Sequence, residues 1–323
     1  MMLLAIESSC DDSCISIIDE NYKIIFEKNK DQIDVHKKYG GVVPELASRY
    51  HLEYLQMILN EIKDTIDINK IECFAATCEP GMIGGLLVGT MMAKSLSRYY
   101  NKPYIGINHL EGHMESVNIL REKHVEYPFV ALLASGGHCQ FMLAKSFGQY
   151  EILGKTLDDS IGEAFDKTAK MLNIEYPGGP KIEKFAQSCN NYTHLKIGKP
   201  MKDNGLNFSF SGFKTSVNRF IQNNPDIIKN NFNNVCFNIQ KELMDNLVFK
   251  IKLVMTDIKK KIPEINNFIF CGGVAANKYI ISNIDNLCKE RNFNLHTPNI
   301  KYATDNSTMI AFSAMKHWKK IKN

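Results

Sequence analysis

The chain has 323 residues, 44% of them hydrophobic and 23% charged, with a net charge of +4. That length supports a core divided over two domains or lobes, and the fractions are ordinary for a globular protein. The small net charge excludes a chain that is basic throughout, although a local patch would be enough to meet a nucleic acid.

The first apolar run, residues 3–7, meets Glu7, Asp11 and Asp12 too soon for a signal peptide. Apolar runs at 14–18 and 22–26 follow, giving strand, polar turn, strand, turn, strand. The turn between the first two gathers Ser8, Ser9, Asp11, Asp12 and Ser13, which is either a hairpin tip or a cluster of functional carboxylates. Leu55, Ile58, Leu59, Ile62 and Ile66 recur at helical spacing and read as core. A buried strand at 73–78 runs into Pro80, Gly81, Gly84 and Gly85, and then into a helix over 86–100. A glycine turn opening a helix offers backbone N–H groups to an anion, or simply lets two segments pack closely. No Gly-Lys-Ser/Thr ends it, so it is not a P-loop.

A strand at 104–107 leads to His109-Leu110-Glu111-Gly112-His113. Histidines four apart share one helix face and suit a single metal ion. The spacing alone is a weak motif, and ordinary surface or core histidines fit it too. The strand–turn–strand–strand pattern then returns: runs at 129–133, 140–144 and 150–153, with Ser135-Gly136-Gly137-His138 at the first turn. Two halves, each opened by such a meander, match the plan of the actin/hexokinase/Hsp70 class by analogy of pattern. A helix over 158–173 carries Asp159, Glu163 and Asp166 along one face. Residues 204–214 hold an aromatic–hydroxyl alternation that reads as a core strand, and 235–262 is a long helix. Cys271-Gly272-Gly273 and Asn277 form another strand–glycine–helix unit suited to a nucleoside. Asp305 precedes the last helix, as a cap or as a third ligand beside the histidines. Nine cysteines without a C-x-x-C read as reduced thiols. No apolar run nears the ~18 residues of a membrane span, so a cytoplasmic protein without a membrane partner is expected.

Ile6-Glu7-Ser8-Ser9-Cys10-Asp11, Tyr39-Gly40-Gly41-Val42-Val43-Pro44-Glu45, His109-Leu110-Glu111-Gly112-His113, Ser135-Gly136-Gly137-His138, Gly162-Glu163-Ala164-Phe165-Asp166-Lys167, Tyr176-Pro177-Gly178-Gly179-Pro180, Phe208-Ser209-Phe210-Ser211-Gly212 and Cys271-Gly272-Gly273-Val274-Ala275-Ala276-Asn277 stand in this order. Together they resemble the tRNA threonylcarbamoyladenosine transferase family, bacterial TsaD type. The resemblance implies an α/β, actin-like, two-lobed fold with duplicated mixed-sheet domains, 1–112 with 304–323 and 113–303, and a metal and adenylate site in the cleft between them. It implies one divalent metal ion, iron or zinc, on His109, His113 and Asp305. It implies transfer of a threonylcarbamoyl group from threonylcarbamoyl-AMP to the exocyclic amine of adenosine 37, in tRNAs reading codons that begin with A. By motif match, Leu133, Ala134, Ser135, Gly136, Gly137, Asp166, Gly179 and Asn277 would contact the adenylate. Asp11 is the candidate proton acceptor. Implied partners are tRNA, a paralogous actin-like subunit (TsaB type) and a P-loop ATPase (TsaE type). Glu79, before Pro80-Gly81, departs from the glycine common in the family. Two rival readings are a metallopeptidase, for which Glu111 is misplaced relative to His-Glu-x-x-His, and a non-catalytic actin-like nucleotide-binding scaffold.

Overall fold

Two short apolar runs, MLLAIE and FVALLA, form the central strands of two five-stranded sheets. The computed structural model describes residues 1–201, 203 and 205–322. The chain divides into two units, Met1–Lys123 with Pro298–Asn323, and His124–Thr297. The first break lies beyond the expected 112/113 because His113 sits within a continuous helix, His109–Glu115.

In the first unit, β1 (Met2–Glu7), β2 (Ser13–Asp19) and β3 (Ile24–Lys30) make an antiparallel meander. Helices α1 (Ile33–Lys37) and α2 (Pro44–Thr65) follow. Then come β4 (Ile71–Glu79), α3 (Ile83–Tyr99), β5 (Tyr104–Asn108) and α4 (His109–Glu115). The sheet order is β3-β2-β1-β4-β5, with β4 parallel to β1 and β5 parallel to β4. Strand β1 is apolar from Met2 to Ile6 because both its faces are covered. Leu4 and Ile6 pack with Leu55, Ile58 and Ile62 of α2, while Leu3 and Ala5 face a second cluster.

In the second unit, β6 (Phe129–Ala134), β7 (Cys139–Ser146) and β8 (Gln149–Lys155) repeat the meander. Helices α5 (Ile161–Met171), α6 (Gly178–Gln187), α7 (Ser211–Asn223), α8 (Pro225–Asn230) and α9 (Phe232–Lys261) lead to β9 (Asn267–Cys271), α10 (Lys278–Glu290) and β10 (Asn294–His296). The order β8-β7-β6-β9-β10, again with two parallel pairings after the meander, reproduces that of the first unit. The pattern repeat seen in the sequence is therefore a repeat of topology.

Two local expectations change. Helix α5 starts at Ile161, not at 158, because Ser160 and Glu163 form a capping box. The segment read as a strand near 204–214 begins at Asn204, outside the described residues. Beyond it only Phe208 makes a bridge, to Thr156. Asp158 takes the place of a sheet partner there, accepting from the Phe210 amide at 2.8 Å and the Ser211 hydroxyl at 2.7 Å.

Helix α11 (Ser307–Lys322) returns to the first unit, where Met309, Ile310 and Phe312 complete the cluster around Leu3 and Ala5. Two of its lysines are paired: Lys316 with buried Glu115 at 2.6 Å, and Lys322 with Glu72 at 3.6 Å.

Candidate active site

The histidine pair opens a helix at the end of β5. Asn108 caps it, its Oδ1 accepting from the Leu110 amide at 2.9 Å, and Asn108 Nδ2 donates to Glu79 Oε1 at 3.3 Å. The departure at Glu79 thus orients the cap of α4. Both histidines are buried, and their rings cross at 83°. The two Nε2 atoms face each other at 3.1 Å, and Asp305 Oδ1 lies 3.1 Å from His113 Nε2 and 3.5 Å from His109 Nε2. Ligand atoms of the three residues lie within 4.8 Å of one another.

Packing of α11 on α4 creates this meeting. A Cβ on Gly112 would stand 2.6 Å from Ile310 Cδ1, so a larger residue there would require the Ile310 side chain to move. The cap of α11 comes from Asn306, whose Oδ1 accepts from the Met309 amide at 2.9 Å. The Asp305 carboxylate is left to the histidines.

The donor set fits a divalent cation: two imidazole nitrogens and one carboxylate oxygen converge, in the borderline-soft mix that suits iron or zinc. Burial and the charge of His109 push His113 below the usual histidine range, toward the neutral form a metal needs. Burial opposes charge on His109 as well, but Glu7 and then Asp305 outweigh it and raise His109 to about 9. Asp11 and Asp12, in the β1–β2 turn, are both pushed up, chiefly by burial, with Asp305 adding to it. A cation among these anions would reverse that repulsion.

The turn carrying Asp11 is held from behind. Ser8 Oγ donates to the Gly85 carbonyl at 2.9 Å, the Met82 amide to Ser9 O at 2.8 Å, and His51 Nε2 to Cys10 O at 2.9 Å. A Cβ on Gly85 would lie 2.3 Å from Ser8 O. The glycine turn before α3, expected as one of two possibilities to contact an anion, is used for this close packing. Glu111 turns toward α11, where it accepts from the Ser313 hydroxyl and from His317 Nε2 at 2.8 Å.

In the second unit Leu133 to Gly137 lie at the carboxyl end of β6 and Asn277 follows that of its parallel neighbour β9, the usual ligand side of such a sheet, while Asp166 and Gly179 lie on α5 and α6. Leu133 and Ala134 are fully buried. In the turn after them the Ser135 amide donates to His138 O at 2.7 Å and Ser160 Oγ to Gly136 O at 2.6 Å. Positions for a Cβ on Gly136 and Gly137 meet nothing within 4 Å, so this turn has an open side. Gly272, at φ +91°, brings the β9 turn against β6, where a Cβ would sit 2.4 Å from Ala134 O. Asp166 Oδ1 accepts from the Gly178 amide at 2.7 Å, at the start of α6 and next to Gly179. Asn277 caps α10 through Ile280 N at 3.0 Å and donates to Gln240 Oε1 at 2.9 Å. Beyond these bonds its side chain has one N–H and one lone pair for a ligand.

Comparison with known proteins settles the family. The family model described as TsaD, tRNA N6-adenosine threonylcarbamoyltransferase, matches residues 23–312. The chain belongs to the tRNA N6-adenosine threonylcarbamoyltransferase family. Two members are each 41% identical to it: one from Kosmotoga olearia over 99% of this chain and 94% of the relative, and one from the Wolbachia of Brugia malayi over 97% and 92%. Among solved structures, HypF from T. kodakarensis superposes with a TM-score of 0.65 at 12% identity, over 99% of this chain and 48% of HypF, so the chain spans about half of that protein. The (R)-2-hydroxyglutaryl-CoA dehydratase component A of Acidaminococcus fermentans gives 0.56 at 11%, over the whole of both chains. These likenesses support the α/β actin-like class of fold for the transferase. Sequence reasoning missed two of its polar residues, Glu7 behind His109 and Gln240 beside Asn277. Glu7 is an acid at the end of an otherwise apolar strand, and that contrast was the available signal, whereas Gln240 stands among the other polar residues of α9 and left none.

Proposed function

We propose that this transferase moves the threonylcarbamoyl group from threonylcarbamoyl-AMP to the N6 amine of adenosine 37, in tRNAs reading codons that begin with A. The observation that carries the reading is the meeting of His109, His113 and Asp305 in a chain of this family, with Glu111 directed elsewhere. A peptidase of the zincin kind needs its glutamate at the metal as base, and Glu111 is engaged on α11 instead.

His109, His113 and Asp305 would hold one divalent ion, iron or zinc, which when bound supplies a Lewis acid for the developing charge on the carbamoyl oxygen or an anchor for the threonyl group. The N6 amine forms a bond to the carbamoyl carbon, the bond from that carbon to the phosphate oxygen breaks, and AMP leaves. An aryl amine is a poor nucleophile, so removing its proton helps. Asp11, whose carboxyl is pushed up by burial, suits that role better than a fully solvated aspartate. The open turn Ser135-Gly136-Gly137 would take the adenylate by its backbone, with Gly179 at the start of α6. Asp166 and Asn277 would add hydrogen bonds to the nucleoside.

A heterodimer with a TsaB-type subunit, and a TsaE-type ATPase acting with it, complete the proposal. An apolar stripe on α3 supports the first: Ile83, Leu87 and Met91, four residues apart, are 85%, 59% and 51% exposed. No helix among the described residues is long and apolar enough to cross a membrane, and we place the reaction in the cytoplasm with its tRNA substrate. The test is mass spectrometry of nucleosides from unmodified tRNA incubated with the pure chain, the two partner proteins and threonylcarbamoyl-AMP. Threonylcarbamoyladenosine at position 37 is expected. Unmodified tRNA in the complete mixture would refute the reading.

A further inference from the structure

Glu7 is the last residue of β1, wholly buried at the end of an apolar strand. A carboxylate in such a place is costly unless its oxygens are satisfied. Three donors supply them. The Ser9 amide donates to Oε1 at 2.5 Å, the Thr77 hydroxyl donates to Oε2, and His109 Nδ1 lies 3.1 Å from Oε2. Ser9 Oγ also lies 3.1 Å from Nδ1, and a hydroxyl can turn to suit whichever form the ring takes. An ionised carboxylate accepts only, so Nδ1 must carry a proton. In the neutral ring the lone pair then sits on Nε2, the atom that faces His113 and Asp305.

We propose that Glu7 is a positioning residue for His109. Its Oε2 holds the Nδ1 proton, fixes the tautomer and ring orientation in which Nε2 can ligate, and ties that ring to the turn bearing Asp11. The inference rests on reading His109, His113 and Asp305 as a metal site. Carboxylates placed behind ligating histidines act in this way in metalloproteins generally. The bland alternative is that Glu7 only fastens the β1–β2 turn to β4, through Ser9 N and Thr77 Oγ.

Glu7→Gln separates the two. The amide keeps the shape but offers one oxygen and one NH2. With its oxygen on the Ser9 amide, the NH2 faces His109 Nδ1. The ring must then accept there and carry its proton on Nε2, where it cannot bind a metal. A mere fastening role keeps the Ser9 bond in that same orientation and leaves the metal unaffected. The measurement is zinc affinity by competition with a chromogenic chelator, on the wild-type protein and on Glu7→Gln, with melting of both metal-free proteins as control. A roughly 10–100-fold loss of zinc affinity is expected, with metal-free melting close to the wild type. Equal affinity in a folded Glu7→Gln would overturn the proposal. Should the variant not fold, long-range 1H–15N spectra of zinc-loaded wild-type protein decide. A proton on His109 Nδ1 is expected, and its absence refutes the role. Failure of the wild type to bind zinc tightly would instead remove the metal reading itself, and this inference with it.

Discussion

Glu111 and His113 stand two residues apart on α4 and serve different ends. His113 Nε2 meets His109 and Asp305, while Glu111 is buried against Ser313 and His317. Glu111→Gln should therefore keep full metal stoichiometry. It should cost about 1–3 kcal/mol in denaturant unfolding, since hydrogen bonds to a buried carboxylate are weakened. Loss of metal from that variant would put Glu111 in the ligand environment and reopen the peptidase reading. That the two histidines share one helix face was legible from their spacing, and Asp305 was expected either as a cap or beside them; the fold brings the three together. Whether Asp305 was a cap was not legible, since only the fold shows Asn306 doing that work. Glu7 was hidden for a similar reason. A single acid at a strand end looks like the edge of a turn until its donors are seen.

Elements were read best where burial is one-sided. The apolar stripe of α9, Ile239, Leu243, Leu247, Ile251, Val254 and Ile258, is core. Its polar residues 234, 238, 242, 246 and 250, also at helical spacing, are buried as well. Asn234 and Asn238 bond the backbone at Thr193, Asn246 reaches Met201 O, and Lys250 reaches Gly205 O. The described residues of the segment they hold form no helix or strand, and such a cover leaves no periodic trace in a sequence. The junction between α3 and the β1–β2 turn offers a test at this scale. Gly85→Ala would gain about 1 kcal/mol in helix propensity, but the new Cβ would lie 2.3 Å from the Ser8 carbonyl. That oxygen is backbone of the turn carrying Asp11, so the clash should win. A net loss of about 1–3 kcal/mol is expected from overpacking, with slower transfer as the turn shifts. A thermal melt showing Gly85→Ala to be more stable than the wild type would contradict this account of the turn.

Over the whole molecule, duplication was readable because the meander of each unit leaves the same run-and-turn pattern. The units divide at 123/124 and 297/298, and the helix carrying the histidine pair runs unbroken from His109 to Glu115. The α3 stripe belongs to this scale as well. Leu87→Lys should leave circular dichroism and melting near the wild type, because the side chain is exposed. It should weaken association with a TsaB-type partner by about tenfold or more, as a charge in the centre of an apolar contact does. Unchanged association in size-exclusion and calorimetric titrations would move the interface elsewhere. We propose that transfer depends on a metal held by His109, His113 and Asp305. The most direct test is one preparation of Asp305→Asn, assayed for bound metal and for single-turnover transfer to tRNA beside the wild type. Because Asn306 caps α11, metal-free melting should be preserved while metal content and transfer both collapse. Full metal occupancy with wild-type transfer in Asp305→Asn would contradict the account.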